Sequence, residues 1–361
     1  MNPPRRRDLD ESDVRARANP RGSRPRTKDR PAHSGAVPAQ VLTVDRGRFT
    51  CLLGSFADAQ GQLVTAMKAR ELGRAGVVVG DRVAMVGDVS GNPGSLARIV
   101  RVEPRSAFLR RSADDVDPVE RVIVANADQL AVVTALADPT PRGRLVDRCL
   151  VAALDAGMDS LLVLTKADLA PAEEFLAGYA SLDVPAVVTR RQGGEQLGLP
   201  ELRAALTDRV TVLVGHSGVG KSTLVNALVP GATRSTGVVN AVTGRGRHTS
   251  TSALALQLPD GGWVIDTPGV RSFGLAHVDP ARIITHFPDL AAGTGECPRG
   301  CSHDEPECGL DAFTAAGGAG PGGVERLDSL RRLLRSRTAE DESWVRHGEG
   351  TRHGEGGQPE D

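Results

Sequence analysis

Aromatic residues are scarce in this 361-residue chain, which holds seven Phe, two Trp and one Tyr. So few rings exclude base stacking as the main mode of any nucleic-acid contact. Lysine is scarcer for its charge class: Lys28, Lys68, Lys166 and Lys221 stand against forty arginines. A lysine kept among so many arginines marks a place where a slim point charge is needed and a planar guanidinium does not serve. Five cysteines fit free thiols or metal ligands and exclude a disulfide framework. No stretch approaches the length of a membrane-spanning helix, and the N-terminus lacks the apolar core of a signal peptide. A cytoplasmic protein with no membrane partner is expected. The net charge of −1 excludes a molecule that binds polyanions through overall charge.

The charge that is present is uneven. Residues 1–36 carry ten Lys/Arg against five Asp/Glu with little apolar content, which predicts a disordered basic arm, either touching nucleic acid or merely solubilising. From about 40 to 110 the pattern is short β-rich runs, Val41 to Leu53, Gln62 to Ala69, Asp81 to Asp88 and Ser95 to Val102, separated by turns. Several short strands at close spacing predict a small all-β barrel over residues 37–112, an OB-fold ahead of an SH3-like barrel. Lys68, Arg70 and Arg74 fall at or beyond a strand end, as RNA contacts or as a solvated loop face.

From about 118 the period changes to alternating strands and helices. Leu130 to Val133, Leu161 to Leu164, Val184 to Val188 and Thr211 to Val214 read as strands, and Arg144 to Ala156 and Lys221 to Leu228 as helices. This alternation predicts a mostly parallel sheet covered on both faces over residues 113–276. Residues 277–340 add a Cys/His cluster and a helical run from Val324 to Arg335, and 341–361 read as a disordered tail. There are no internal repeats. A monomer is expected.

Three motifs carry the chemistry. Gly215-His216-Ser217-Gly218-Val219-Gly220-Lys221-Ser222 follows a strand and opens a helix, the context a P-loop requires. Its N–H groups would wrap phosphates together with Thr223 at the helix start, Lys221 would bridge the β- and γ-phosphates, and Ser222 would ligate Mg²⁺. Asp266-Thr267-Pro268-Gly269 ends the apolar strand Trp263-Val264-Ile265; Asp266 would hold a metal-bound water and Gly269 would offer its N–H to the γ-phosphate. Thr165-Lys166-Ala167-Asp168 follows a buried strand. The Asp168 carboxylate pairs with the N1–H and N2–H₂ donors of guanine, which adenine lacks, and the Lys166 stem covers the base plane. A helix cap is the plain alternative for this motif. Thr165 stands where Asn is more usual, a change expected to loosen the loop. The base reader precedes the P-loop, whereas ordinary GTPases have it last, so the order predicts a circularly permuted GTPase whose loops meet at one sheet edge.

Between the P-loop and Asp266, the segment Gly244-Arg245-Gly246-Arg247-His248-Thr249-Ser250-Thr251 would supply the threonine that caps magnesium, Thr249 ahead of Ser250 and Thr251. Val270 occupies the place after Gly269 where a water-orienting Gln is found in Ras-like enzymes. His248 is the candidate to orient water in its stead, or else a phosphate or RNA contact. Cys297-x₃-Cys301-x-His303-x₄-Cys308 suits one closed, structural tetrahedral Zn²⁺ site. Cys51 and Cys149 read as packing residues.

Taken together, the permuted order, the His-Ser-Gly-Val insert, Gly244 to Thr249, Asp266 to Val270, Ala125-Asn126-Ala127-Asp128-Gln129 and the terminal cluster resemble the RsgA (YjeQ) family over about residues 40–340. The resemblance implies an N-terminal OB-fold, a central GTPase and a C-terminal zinc domain with helices. It implies GTP hydrolysis stimulated by the small ribosomal subunit and its rRNA in late maturation. Two gaps between zinc ligands are one residue shorter than the usual family pattern, which bears on the loop's conformation more than on the metal. The rival readings are a regulatory GTPase with a non-ribosomal partner and a non-catalytic RNA-binding assembly factor that holds GTP only as a ligand.

Overall fold

Continuous buried runs in the first, second and fourth N-terminal strands, and alternation in the third and fifth, build the first core. In the computed structural model, which describes residues 33–58, 61–73, 76–112, 120–230, 253–268, 273, 275 and 278–338, β1 (Val37–Asp45), β2 (Arg48–Leu53), β3 (Leu63–Lys68), β4 (Arg82–Gly87) and β5 (Ala97–Val102) close into a barrel. The run from Val41 to Leu53, expected as one β segment, is the end of β1 and all of β2, reversed at Arg46 (φ 44°) and Gly47 (φ 84°). Val41, Cys51, Val64, Ala66, Val83, Met85, Ala97 and Ile99 fill the interior, and burial pushes the Cys51 thiol up to about 12. The strand order 1-2-3-5-4, closed by β1 on β4 with β3 and β5 parallel, is that of an OB-fold and decides against the SH3-like alternative. Arg74, residues 1–32 of the basic arm and the C-terminal tail lie outside the described residues.

A hairpin of β6 (Phe108–Ser112) and β7 (Glu120–Ala125) leads out of the barrel. The second layer system follows: β8 (Gln129–Ala135), α1 (Gly143–Ala156), β9 (Asp159–Thr165), α2 (Glu173–Ala177), β10 (Ala186–Val188), β11 (Arg190–Gln192), β12 (Glu195–Leu197), α3 (Leu199–Leu206), β13 (Val210–Val214), α4 (Lys221–Leu228), β14 (Leu254–Gln257) and β15 (Trp263–Asp266). All seven residues of β8 are buried, as a parallel strand covered on both faces should be. The sheet order is 10-9-8-13-15-14, parallel from β10 to β15, with β14 antiparallel to its neighbour.

The barrel and this sheet are hydrogen-bonded to each other. β1 pairs antiparallel with β14 at Thr43 and Leu254, so one eleven-stranded sheet runs through both. The Phe56 ring stacks on Trp263 at 4.5 Å, and the indole N–H donates to the Phe56 carbonyl at 2.7 Å. The C-terminal elements are α5 (Pro280–Ile284), α6 (Pro288–Ala291), α7 (Gly309–Ala315) and α8 (Gly323–Thr338). α8 buries Leu327, Leu330, Leu333 and Leu334 into the core that also holds α1 residues Val146, Cys149 and Leu150. Among the described residues no helix is long and apolar enough to cross a membrane.

Candidate nucleotide and metal sites

The parallel strands β8, β9, β13 and β15 end at one edge, where connections leave in opposite directions and open a crevice, the usual ligand position in such sheets. The P-loop starts there. Gly215 passes so close to β8 that a Cβ would meet the Val133 carbonyl at 2.4 Å, and Gly220 holds φ 91° to turn into α4. Val219 is buried and anchors the loop in the sheet core. Ser217 and Gly218 are exposed, as are Ser222 and Thr223 in the first turn of α4, so their polar groups face solvent. His216 places Nδ1 2.8 Å from the Ser217 carbonyl. The Lys221 ammonium reaches across to the Asp266 carboxylate, and both groups are largely shielded from water. This pair brings the lysine of the P-loop and the carboxylate at the end of β15 to one spot.

Base-reading residues arrive from β9. Thr165 is buried and donates from Oγ1 to the Val219 carbonyl at 2.6 Å. The threonine expected to loosen the loop ties it to the P-loop. Lys166 adopts φ 59°, which turns its side chain back so that Nζ donates to the Asp138 carbonyl. The Ala167 N–H donates to the Thr189 carbonyl at 3.2 Å. Asp168 is exposed and accepts from the Arg191 N–H at 3.0 Å. That bond, followed by its own backbone N–H and the charges of Arg191 and Lys166, holds its carboxyl below the usual carboxylate range.

Thr189, between β10 and β11, and Arg191, within β11, were not singled out in the sequence. Their local signal is only an apolar strand followed by polar residues and Gly193-Gly194, which reads as an ordinary turn. Thr267 is another such residue: it is buried, and its hydroxyl donates to the Leu213 carbonyl at 2.7 Å. His248, Thr249, Ser250, Thr251, Gly269 and Val270 lie outside the described residues.

The Cys/His cluster forms a second centre. Cys297, Cys301, His303 and Cys308 bring one ligand atom each to within 4.8 Å of all the others. Cys297 Sγ lies 3.7 Å from His303 Nδ1 and 3.9 Å from Cys308 Sγ, and the latter two are 3.9 Å apart. Zinc–sulfur bonds of about 2.3 Å in a tetrahedron put sulfur atoms about 3.8 Å apart, so the donor set fits zinc. Burial pushes the Cys301 thiol up to about 12; a divalent cation would reverse that by stabilising the thiolates. The loop reaches this geometry through His303 at φ 67°. Arg331 holds it from behind, donating to the His303 carbonyl at 3.0 Å and to both Asp311 oxygens at 2.7 Å.

A P-loop, the Thr165-Lys-Ala-Asp168 motif placed before it and a carboxylate on the neighbouring strand match the order and layout of a circularly permuted P-loop GTPase. The family model for RsgA GTPase matches residues 102–276. The small ribosomal subunit biogenesis GTPase RsgA of Chlorobaculum parvum is 39% identical over 269 residues, covering 72% of this chain and 85% of that protein. The protein of the same name from Azotobacter vinelandii is also 39% identical, covering 72% and 75%. The crystal structure of YjeQ from Thermotoga maritima aligns with a TM-score of 0.58 at 25% identity, over 83% of this chain and 98% of that one. YloQ, a circularly permuted GTPase, aligns with a TM-score of 0.57 at 20% identity and shares the fold. The chain belongs to the RsgA family of GTP-hydrolysing enzymes.

Proposed function

We propose that this chain hydrolyses GTP to GDP and phosphate when engaged with the small ribosomal subunit, assisting its late maturation through contacts to rRNA. The observation that carries the nucleotide half is the Thr165–Val219 hydrogen bond, which joins base reader and phosphate loop into one pocket. The ribosomal half is supported by relatives named for small-subunit biogenesis at 39% identity. The reading places the protein in the cytoplasm as a monomer. It also divides the chain into a barrel (37–112), a GTPase (113–276) and a zinc-binding part (277–340).

In this mechanism guanine enters against Asp168, whose carboxylate accepts from N1–H and N2–H₂, while the Lys166 stem covers the ring and Gly215 to Thr223 enclose the phosphates. Entry of the triphosphate separates Lys221 from Asp266: the ammonium moves to the β- and γ-phosphate oxygens, and the carboxylate is freed. Ser222 and Thr249 are the residues that would hold magnesium, with Asp266 holding a water on it, and the cation would neutralise charge on the transferring phosphoryl group. Water attacks the γ-phosphorus and the bond to the β,γ-bridging oxygen breaks, leaving GDP and phosphate. Lys221 offsets the charge that grows on the oxygens, and His248 orients the attacking water in place of the apolar Val270. The Cys297, Cys301, His303 and Cys308 donors would hold one structural zinc, which fixes the C-terminal loop.

Multiple-turnover phosphate release, measured with and without purified small subunits, tests this function. Acceleration by the small subunit supports it. Turnover indifferent to the subunit favours a regulatory GTPase with another partner, and no turnover at all leaves only a GTP-binding assembly factor.

A further inference from the structure

We propose that Phe56 is a positioning residue that holds Asp266 from the barrel side, so that the state of the nucleotide site is carried along β15 to the barrel. Phe56 lies between β2 and β3, and both of its backbone groups are engaged. Its N–H donates to Oε1 of the buried Gln40 on β1 at 2.7 Å, and Gln40 Nε2 donates in turn to the Gly80 carbonyl at 3.2 Å. Its carbonyl accepts from the Trp263 indole at 2.7 Å, and its ring stacks on that indole with the planes 17° apart. One residue thus faces the barrel through its N–H and the second sheet through its carbonyl and ring. Tryptophan suits the far side of this contact because an indole offers a face to stack and an N–H to donate at once.

Trp263 is the first residue of β15 and Asp266 is the last. The strand between them is short, about 10 Å at the usual rise, and its two middle residues, Val264 and Ile265, are fully buried. The barrel reaches the Asp266 end as well. Thr43 on β1 pairs with Leu254 on β14, and Leu254 pairs with Asp266, so the three residues form one row across three strands. Leu42, Leu52 and Phe56 of the barrel share one core with Ala255, Trp263 and Ile265 of the β14–β15 hairpin. The barrel therefore grips β15 at both ends, at Trp263 directly and at Asp266 through one intervening strand.

On its other side β15 lies parallel to β13, with Leu213 beside Asp266, and the Asp266 carboxylate meets the Lys221 ammonium. Under the proposed function this ion pair has two states. It is closed without nucleotide and separated once the triphosphate takes the lysine. A side chain that loses a charged partner at the end of a short, buried strand changes the forces on that strand. Close-packed contacts answer such a change by repacking between discrete arrangements, and the contact at the far end of β15 is the Phe56–Trp263 stack. The link also runs in reverse, since coupling between two sites is reciprocal. A barrel that lets go of Trp263 leaves Asp266 less well placed for its part in turnover.

The inference rests on the GTPase reading, and its test uses the full-length protein. Trp344→Phe leaves Trp263 as the single tryptophan, so that its emission reports on the junction. A non-hydrolysable GTP analogue, its binding followed separately by filter retention of labelled nucleotide, is expected to change that emission. Asp266→Ala in the same background is expected to abolish the change. Unchanged emission on binding, or a change that survives Asp266→Ala, overturns the inference and leaves the GTPase reading intact. In kinetics with active sites counted by nucleotide titration, Phe56→Leu keeps apolar bulk and removes the stack. It should lower kcat about fivefold while KM stays within about twofold. Added to Asp266→Ala it should cost less than about twofold more, because the residue it acts through is already gone. Losses that multiply in full overturn the inference, as does a lower unfolding midpoint with kcat per active site unchanged, the mark of a merely structural Phe56. Should Phe56→Leu fail to fold, the emission test decides, because it is made on the native junction. If the parent protein binds no GTP, the GTPase reading fails first and this inference with it.

Discussion

The hydroxyl of Thr165 donates to the carbonyl of Val219 at 2.6 Å, linking the first residue of the base-reading motif to the middle of the phosphate loop. Both residues are buried, so the bond is shielded from water. Circular permutation separated these motifs in the order of the chain without separating them in the sheet: Thr165 ends β9, Val214 ends β13, and β8 lies between them.

Thr165→Val tests this link. Valine keeps the shape and removes the donor, leaving the buried Val219 carbonyl unpaired at a cost of about 1–3 kcal/mol. Fluorescence titration should show GDP bound roughly tenfold more weakly, about 1.4 kcal/mol, with Thr165→Ser close to the parent. Equal affinities for Val and Ser at this position would remove the hydrogen bond from the account.

Asp168→Asn should abolish the preference for GTP and shift it toward xanthosine triphosphate, whose altered base edge matches an amide. The parent's preference should also survive acidification through the ordinary carboxylate range, because the Arg191 N–H favours the charged form and lowers the pKa. Discrimination is then lost only as the pH falls through that lowered value. Competition binding with the two nucleotides across pH reads both effects, and an unchanged GTP preference in the Asn variant sinks the base-reader assignment.

The residues of the site were legible where a motif carries its own mechanism. Gly215 to Ser222 needed only a strand before and a helix after, and the order of Thr165 to Asp168 ahead of it revealed the permutation. Long-range pairings left no such trace. Nothing local in Thr43 or Leu254 announces that β1 adds to the edge of the second sheet, since strand partners are chosen by tertiary packing. The strand pattern favoured an OB-fold over an SH3-like barrel only narrowly for the same reason, because the difference depends on β1 meeting β4 and β3 lying parallel to β5. Thr189 and Arg191 contribute backbone groups to the base site, and a backbone donor or acceptor leaves no residue signature.

Zinc should be present at one atom per chain in protein purified without chelators. Cys301→Ser should lose it, because a hydroxyl is a far poorer ligand than a thiolate. Structural zinc contributes on the order of 10 kcal/mol in small metal-dependent domains. Even a third of that, at about 2–4 °C per kcal/mol, lowers the unfolding midpoint by roughly 10 °C. Metal analysis and calorimetry of parent and variant check this; metal-free parent protein with an unchanged midpoint counts against the site.

The slow step in the free protein should be chemistry, and the small subunit should relieve it. Val270 has no polar atom to orient water, so under the proposed reading the attacking water depends on His248, carried in sequence with Thr249 between the P-loop and β14. Docking on the subunit should complete the arrangement around the attacking water and raise kcat. His248→Ala should therefore remove most of the stimulated rate and leave nucleotide affinity nearly unchanged, the signature of a group acting in the transition state. Lys221→Ala should behave differently. It removes the cation that faces both Asp266 and the incoming phosphates, so nucleotide binding itself weakens. Single-turnover hydrolysis and equilibrium binding, each run with and without small subunits, separate the two variants. If His248→Ala is stimulated as strongly as the parent, water is oriented by another group, and the role of His248 reduces to a contact with phosphate or RNA.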